Sequence, residues 1–362
     1  MRLQRSYGIV GVVQTWITSY LHDRTCYVLV NGQLSRTITL VCGVPQGSVL
    51  GPKLWLLYIG ELDDLIAGEG FNYHGYADDT QIYNHCTISA DAIASLSEQF
   101  AICVTKILNW MKINRLQLNP DKTECIWIRS PRCQFNSFPD LSVGSTVIHP
   151  VATAKSLGVY FDQFLSFERH LLALSKACHF QLRQLKPVCK RLDRGTVQML
   201  LQAFISSRLD YCNSLYSGLP VTRLKILQRI QNNAARIYSS RRKTEHISPV
   251  LRELHWLPVA ARIKFKMGVL VYKALHNQLP ENLSDFCIQA GQFHDHALRS
   301  VTHSELAKVR TVTKSMGDRT FQVLAADTWN RIPTSVRDSD SAAVFCRRLK
   351  TLLFVQAYGL NG

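Results

Sequence analysis

Two adjacent carboxylates, Asp78 and Asp79, close the run Tyr76-Ala77-Asp78-Asp79 between two short apolar stretches. On a tight strand-to-strand tip they cannot both point into a core, so at least one faces solvent or a cation. Magnesium takes oxygen ligands, commonly one or two protein carboxylates completed by phosphate oxygens. A pair of such ions can drive displacement at phosphorus. For the two residues alone, an ordinary acidic turn is the plainer alternative.

A second stretch bears on the same chemistry. Gly43-Val44-Pro45-Gln46-Gly47-Ser48-Val49-Leu50-Gly51-Pro52 packs glycines and prolines ahead of an apolar run. Such a loop lets backbone approach a ligand or another chain closely. Gln46 and Ser48 put hydrogen-bonding groups at its centre. The competing reading is a helix-capping loop with Ser48 as the cap.

The order and separation of GVPQGSVLGP and YADDTQIY resemble the palm of a reverse transcriptase from a non-LTR (LINE-type, jockey-like) retrotransposon. The resemblance extends along nearly the whole chain, through Leu116-Gln-Leu-Asn-Pro-Asp-Lys-Thr-Glu124 and Lys155-Ser-Leu-Gly-Val159. It continues in 204–213, in 228–236 and in Leu254-His-Trp-Leu-Pro258. It implies an RNA-directed DNA polymerase that uses Mg2+, an RNA template, a DNA primer and deoxynucleotide triphosphates. By the resemblance, Asp78 would bind catalytic metal with Asp79 as a supporting ligand. Pro45, Gln46, Gly47 and Ser48 would line the nucleotide and template pocket. Lys122 would stand near the triphosphate and help protonate the pyrophosphate leaving group. Leu157 and Gly158 would contact the primer end as a primer grip.

The family also carries an earlier strand with a further metal-binding aspartate, just upstream of the segment that begins here with Tyr7-Gly8-Ile9. The chain is expected to lack that strand, along with the fingers and endonuclease. Asp63-Asp64 cannot substitute, being at the end of a predicted helix downstream of the glycine-rich loop. A two-metal site needs carboxylates converging from separate elements, so the chain by itself is expected to be inactive. The alternative reading is a non-catalytic nucleic-acid-binding remnant or an inactive gene fragment.

The elements that must position these residues change character along the 362-residue chain. Asn31-Gly32 predicts a hairpin between 26–30 and 36–41. Residues 48–66 read as one buried helix. Strands at 71–76 and 80–83 flank the acidic tip. A long amphipathic helix is predicted at 90–114, then strands at 123–129, 141–143, 147–148 and 156–161. Beyond 167 the pattern is helical: 167–190, 194–211, 221–239, 248–254, 259–276, 320–331 and 341–354. The fold class is therefore α+β, a partial palm over 1–165. A mostly α-helical thumb-like region (166–245) and a basic helical C-terminal region (246–362) follow.

Charge follows the same division. Up to His170 there are 13 basic and 14 acidic residues, a net of −1; from Leu171 onward there are 29 and 12, a net of +17. A half this basic reads as a polyanion binder. The best local patch is Arg241-Arg242-Lys243 with Arg229 and Arg236, expected to contact phosphates. A solvated helix end is the alternative.

The 11 cysteines are dispersed, odd in number and without a Cys-x-x-Cys pair. That argues against a disulfide scaffold or a zinc ribbon and for a reducing, nuclear or cytoplasmic setting. No apolar stretch is long enough to span a bilayer. Residues 1–13, with Arg2 and Arg5 ahead of the apolar stretch 7–13, imitate a signal sequence, but an amphipathic helix is the better reading, with Ile9, Val12, Val13, Trp16, Ile17 and Tyr20 on one face. No membrane and no protein partner are expected. The spacing of His294, Asp295 and His296 with Cys287 and His303 fits no zinc knuckle. His255-Trp256-Leu257-Pro258 reads as packing rather than base stacking.

Overall fold

A computed structural model describes residues 2–135, 137–290, 305–311 and 316–359. The chain divides into two compact units, 1–127 with 133–151 and 128–132 with 152–362.

The first unit opens with helices α1 (Arg2–Tyr7) and α2 (Gly11–Leu21). On α2 only Ile17 is buried, so the expected apolar face is largely left in solvent, with Val12, Val13 and Trp16 exposed. Strand β1 (Arg24–Cys26) pairs with β4 (Ile38–Leu40), and inside them β2 (Leu29–Val30) pairs with β3 (Gln33–Leu34). Asn31 and Gly32, both at positive φ, form the connection. That is the backbone such a two-residue turn demands. The expected second arm thus begins earlier, at Gln33.

The stretch expected as one buried helix is two, α3 (Gly51–Ile59) and α4 (Glu61–Gly68), meeting at Gly60. The Tyr7 hydroxyl occupies the space a Cβ at Gly60 would need. Burial is confined to Ile59, Leu62 and Ile66. Strands β5 (Asn72–Tyr76) and β6 (Asp79–Tyr83) form an antiparallel hairpin. Helix α5 (Ala90–Ile113) starts at Ser89, whose hydroxyl accepts from Ala92 N at 3.2 Å. Its apolar positions recur at helical spacing, and Leu96, Cys103 and Ile107 pack with Leu62, Ile66 and Phe71. The expected strand at 123–129 is absent: Cys125 makes a single bridge to Pro150, and Asn119 instead organises a short 3₁₀ turn, Pro120–Lys122. Strands β7 (Leu141–Val143) and β8 (Thr146–Ile148) form another hairpin, packed through Val143 and Ile148 against Val104 of α5.

In the second unit the expected strand at 156–161 is itself a hairpin, β9 (Thr153–Ser156) with β10 (Val159–Asp162). Leu157-Gly158 at its centre turns the chain. The Asp162 carboxylate then accepts from the backbone N–H groups of Phe164, Ser166 and Phe167, which fixes the entry to α6 (Glu168–Cys189). The expected helix at 194–211 is α7 (Arg194–Leu201), a π-helical segment Gln202–Ser206, and α8 (Ser207–Asp210). Helices α9 (Val221–Ser239), α10 (Ser248–Glu253), α11 (Val259–Leu275), α12 (Glu281–Ser284), α13 (Phe321–Trp329), α14 (Thr334–Arg337) and α15 (Ala342–Tyr358) follow.

One core is built by α6, α7, α9 and α10 around Leu171, Cys178, Leu201, Leu227 and Ile230. A second gathers Met267, Val271, Trp329, Phe345 and Leu349 from α11, α13 and α15. Trp256 is buried in the first of these, so the His-Trp-Leu-Pro run does pack. Among the described residues no helix is long and apolar enough to cross a membrane. His294, Asp295, His296 and His303 lie outside the described residues; Cys287 is buried, and its thiol is pushed up to about 11 by burial.

Candidate functional site

The acidic tip is a two-residue connection. Tyr76 pairs with Asp79, leaving Ala77 and Asp78 to reverse the chain. Ala77 sits at φ 54°, a region where an L side chain crowds its own backbone. Asp78 and Asp79 are both exposed, and among the described residues neither carboxylate has a hydrogen-bond or ion-pair partner. One face of the hairpin (Asn72, His74, Tyr76, Asp79, Gln81, Tyr83) is exposed throughout. On it the Tyr83 hydroxyl and His74 Nε2 are 2.9 Å apart.

The glycine-rich loop is bound to this tip by the helix it launches. Ser48 N donates to Pro45 O at 3.2 Å, making a tight turn in which Gly47 takes φ 80°. That is the left-handed position such a turn reserves for glycine. Ser48 Oγ accepts from Gly51 N at 3.1 Å, which ties the loop to the first residue of α3; the N-cap itself is Leu50, without a side-chain cap, so Ser48 is not the cap that the alternative expects. Gln46 and Gly47 are exposed beside it. One turn along α3, Trp55 Nε1 donates to the Ala77 carbonyl oxygen at 2.7 Å. Loop, helix and acidic tip are thereby joined through one indole.

Lys122 is exposed at the end of the 3₁₀ turn. Among the described residues no hydrogen bond or ion pair joins it to Asp78 or Asp79. Leu157 and Gly158 belong to the second unit, at the tip of the β9–β10 hairpin, where the Tyr211 hydroxyl donates to Leu157 O at 2.6 Å.

The donor set at Asp78 and Asp79 suits a hard divalent cation completed by water or phosphate oxygens. Among the described residues no three His, Cys, Asp or Glu side chains come together as a metal-holding group. The pair therefore fits the cation's chemistry but does not by itself supply a set of ligands for two ions.

Of the expected basic patch, Arg229 is exposed on α9 and Arg236 is half-exposed. Arg236 Nη2 donates to Lys243 O at 3.4 Å, and Arg241 Nη1 to His246 O at 3.0 Å. Arg242 donates through its backbone N–H to Glu245 at 2.7 Å. The loop thus folds back on the end of α9 with Arg241, Arg242 and Lys243 exposed.

A larger basic face escaped the sequence reading. Arg169, Lys176 and Arg183 on α6 and Lys190 at its C-cap recur every seventh residue, and all are exposed. Seven residues advance about 10.5 Å along a helix, so these charges form one stripe. Helix α9 runs beside α6 in the same direction: Arg223 Nη1 donates to Ser166 O at 2.7 Å, and Asn233 Nδ2 to His179 Nε2 at 3.4 Å. Its Lys225 and Arg229 are exposed too. Between Glu168 and Asp193 there is no acidic residue, and none lies within α9. The seven-residue recurrence of bases in a stretch without acidic residues was the signal available in the sequence.

Comparison with known proteins gives the following. Residues 3–161 match the reverse transcriptase (RNA-dependent DNA polymerase) family. The probable RNA-directed DNA polymerase from transposon BS of Drosophila melanogaster is 29% identical over 196 residues, which are 50% of this chain and 20% of that protein. The RNA-directed DNA polymerase from mobile element jockey of Drosophila melanogaster is 28% identical over 235 residues, 61% of this chain and 24% of that protein. The retrovirus-related Pol polyprotein from type-1 retrotransposable element R1 of Bradysia coprophila is 27% identical over 159 residues, 44% and 15%. The chain thus spans a quarter or less of the length of these relatives. No solved structure matches.

Proposed function

From the premise that residues 3–161 belong to the reverse transcriptase family and that the chain is related to non-LTR retrotransposon RNA-directed DNA polymerases, we propose that it is the palm-and-thumb portion of such a polymerase. The observation that carries this reading is the Trp55–Ala77 hydrogen bond, which ties the glycine-rich loop to the acidic tip. The substrates are a DNA primer on an RNA template and deoxynucleotide triphosphates.

Asp78 and Asp79 would hold Mg2+, which when bound neutralises phosphate charge and orients the attacking oxygen. Gln46 and the backbone around Gly47 would border the incoming nucleotide. Lys122, a mobile cation able to donate a proton, would serve the pyrophosphate leaving group. Leu157 and Gly158 would meet the primer end. The exposed bases of α6, α9 and the 241–243 loop would bind phosphates of the template–primer. Such contacts release counterions and position a duplex without reading its sequence.

With two carboxylates on one tip, nucleotidyl transfer needs a further acidic ligand from outside the described residues. The test is primer extension on an RNA template with Mg2+ and all four deoxynucleotides. The chain alone is expected to give no product. Supplied with a polypeptide that carries a further acidic strand, in cis or in trans, it is expected to extend the primer, and Asp78→Asn to reduce that by several orders of magnitude. Extension that survives Asp78→Asn would overturn the assignment.

A further inference from the structure

The hairpin tip at Leu157-Gly158 is held by a side chain that the motifs do not include. Ser156 pairs with Val159, so these two residues alone make the turn. Both lie at positive φ, 46° and 81°, as a two-residue hairpin connection of this hand requires. Glycine adopts that backbone freely; leucine does not. The equivalent turn at Asn31-Gly32 has asparagine first, a residue that tolerates the left-handed region. Leu157 lacks that local preference, so something other than the turn's own sequence holds it.

The structure shows what does. Tyr211, the C-cap of α8, donates its hydroxyl proton to Leu157 O at 2.6 Å. A Cβ placed on Gly158 would lie 3.7 Å from Tyr211 Cε1, so the ring runs alongside the turn. Tyr211 is secured in turn. Its N–H donates to Ser207 O at 3.0 Å. The preceding Asp210 is ion-paired with Arg262 of α11, whose Nε donates to Leu257 O at 3.1 Å. Leu157 and Tyr211 are 40% and 51% exposed, so this link lies at a surface that a nucleic acid can reach.

We propose that Tyr211 is a positioning residue for the primer-contacting turn, and that the Asp210–Arg262 pair sets Tyr211. This rests on the reading of Leu157-Gly158 as the primer contact. Through it, the helices after residue 246 influence where the turn presents itself, without touching the primer.

The experiment uses the full chain and two probes in an anisotropy titration: a DNA primer recessed on an RNA template, and a blunt duplex of equal length. The wild type is expected to prefer the recessed end. Tyr211→Phe, which keeps the ring and removes the donor, is expected to lower that preference about fivefold, the worth of one hydrogen bond. Blunt-duplex affinity and its salt dependence should not change. Amide hydrogen exchange at Gly158 and Val159 should speed up. Arg262→Lys should give a smaller loss of preference, and none in a Tyr211→Phe background, as groups acting in series do. An unchanged preference in Tyr211→Phe overturns the proposal, as does unchanged exchange at the turn. If the wild type does not distinguish the probes, the primer-end reading fails and the positioning role falls with it. Exchange then still decides whether Tyr211 holds the turn.

Discussion

At the scale of single residues, the two most informative side chains are not charged ones. Trp55 carries the link between loop and acidic tip. Trp55→Phe keeps an apolar ring and removes one donor, so about 1 kcal/mol of support for the tip should be lost. Faster amide exchange at Asp78 and Asp79, with exchange in α5 unchanged, is the expected readout. His170 is the second. It is 7% exposed; its Nδ1 accepts from Tyr160 N at 3.4 Å and its Nε2 lies 2.8 Å from the Tyr216 hydroxyl. Accepting at Nδ1 requires the neutral ring, with Nε2 donating. Burial holds its pKa below the usual histidine value. The unfolded chain therefore takes up a proton first as pH falls through about 6.5. Stability is full above that pH and declines below it, until the folded-state pKa is passed. Urea midpoints from pH 7.5 to 5 should fall for the wild type and fall less for His170→Gln.

At the scale of elements, the β5–β6 hairpin and the α6–α9 pair show opposite devices. The hairpin keeps a non-glycine residue at positive φ beside its carboxylates, and strain of this kind often accompanies a site that presents groups in a set direction. Ala77→Gly should raise the thermal midpoint by the relief of roughly 1 kcal/mol, whereas Ala77→Val should lower it. The helix pair works by accumulation. Neutralising Arg241, Arg242 and Lys243 together should shallow the salt dependence of RNA or DNA binding by up to about 3 phosphate equivalents. Neutralising Arg169, Lys176, Arg183 and Lys190 should shallow it more. The stripe holds four charges in one row, and Arg241 already donates to His246 O. All sequences should weaken about equally. A titration at several salt concentrations in which both variants overlay the wild type would remove these residues from the interface.

At the scale of the whole molecule, apolar burial is uneven. Among residues 2–60 the buried apolar side chains are Ile17 and Ile59, while Val12, Val28, Val30, Leu34, Val41 and Val49 are exposed. The strands there form two-stranded pairs with open edges, which are poorly stable by themselves. The second unit has two extensive cores. Limited proteolysis should therefore cut within the first 60 residues before it cuts α6, α9 or α11, because local opening precedes global unfolding where little is buried. Early cleavage inside those helices, with the amino-terminal segment intact, would contradict this.

What the sequence by itself determined was local. The Asp78-Asp79 pair, the glycine-rich loop and the Asn31-Gly32 turn are contiguous in the chain. The long helices repeat their apolar residues every three or four positions, so their chemistry and period are legible without a fold. The order of the two motifs also pointed to the family that residues 3–161 match. The sequence reading went astray where a local pattern was compatible with two outcomes. Residues 48–66 were uniformly helical in pattern, yet the Tyr7 contact at Gly60 accompanies a division into two helices. Residues 156–161 had strand composition, but the left-handed Leu157-Gly158 pair folds them back on 153–156. Only the tertiary structure decided which distant groups meet. Trp55 finds Ala77 22 positions away, Tyr211 finds Leu157 54 away, and Arg262 finds Asp210 52 away. No periodicity records such pairs, because a hydrogen bond between elements depends on how their buried faces pack and not on the residues that flank either partner.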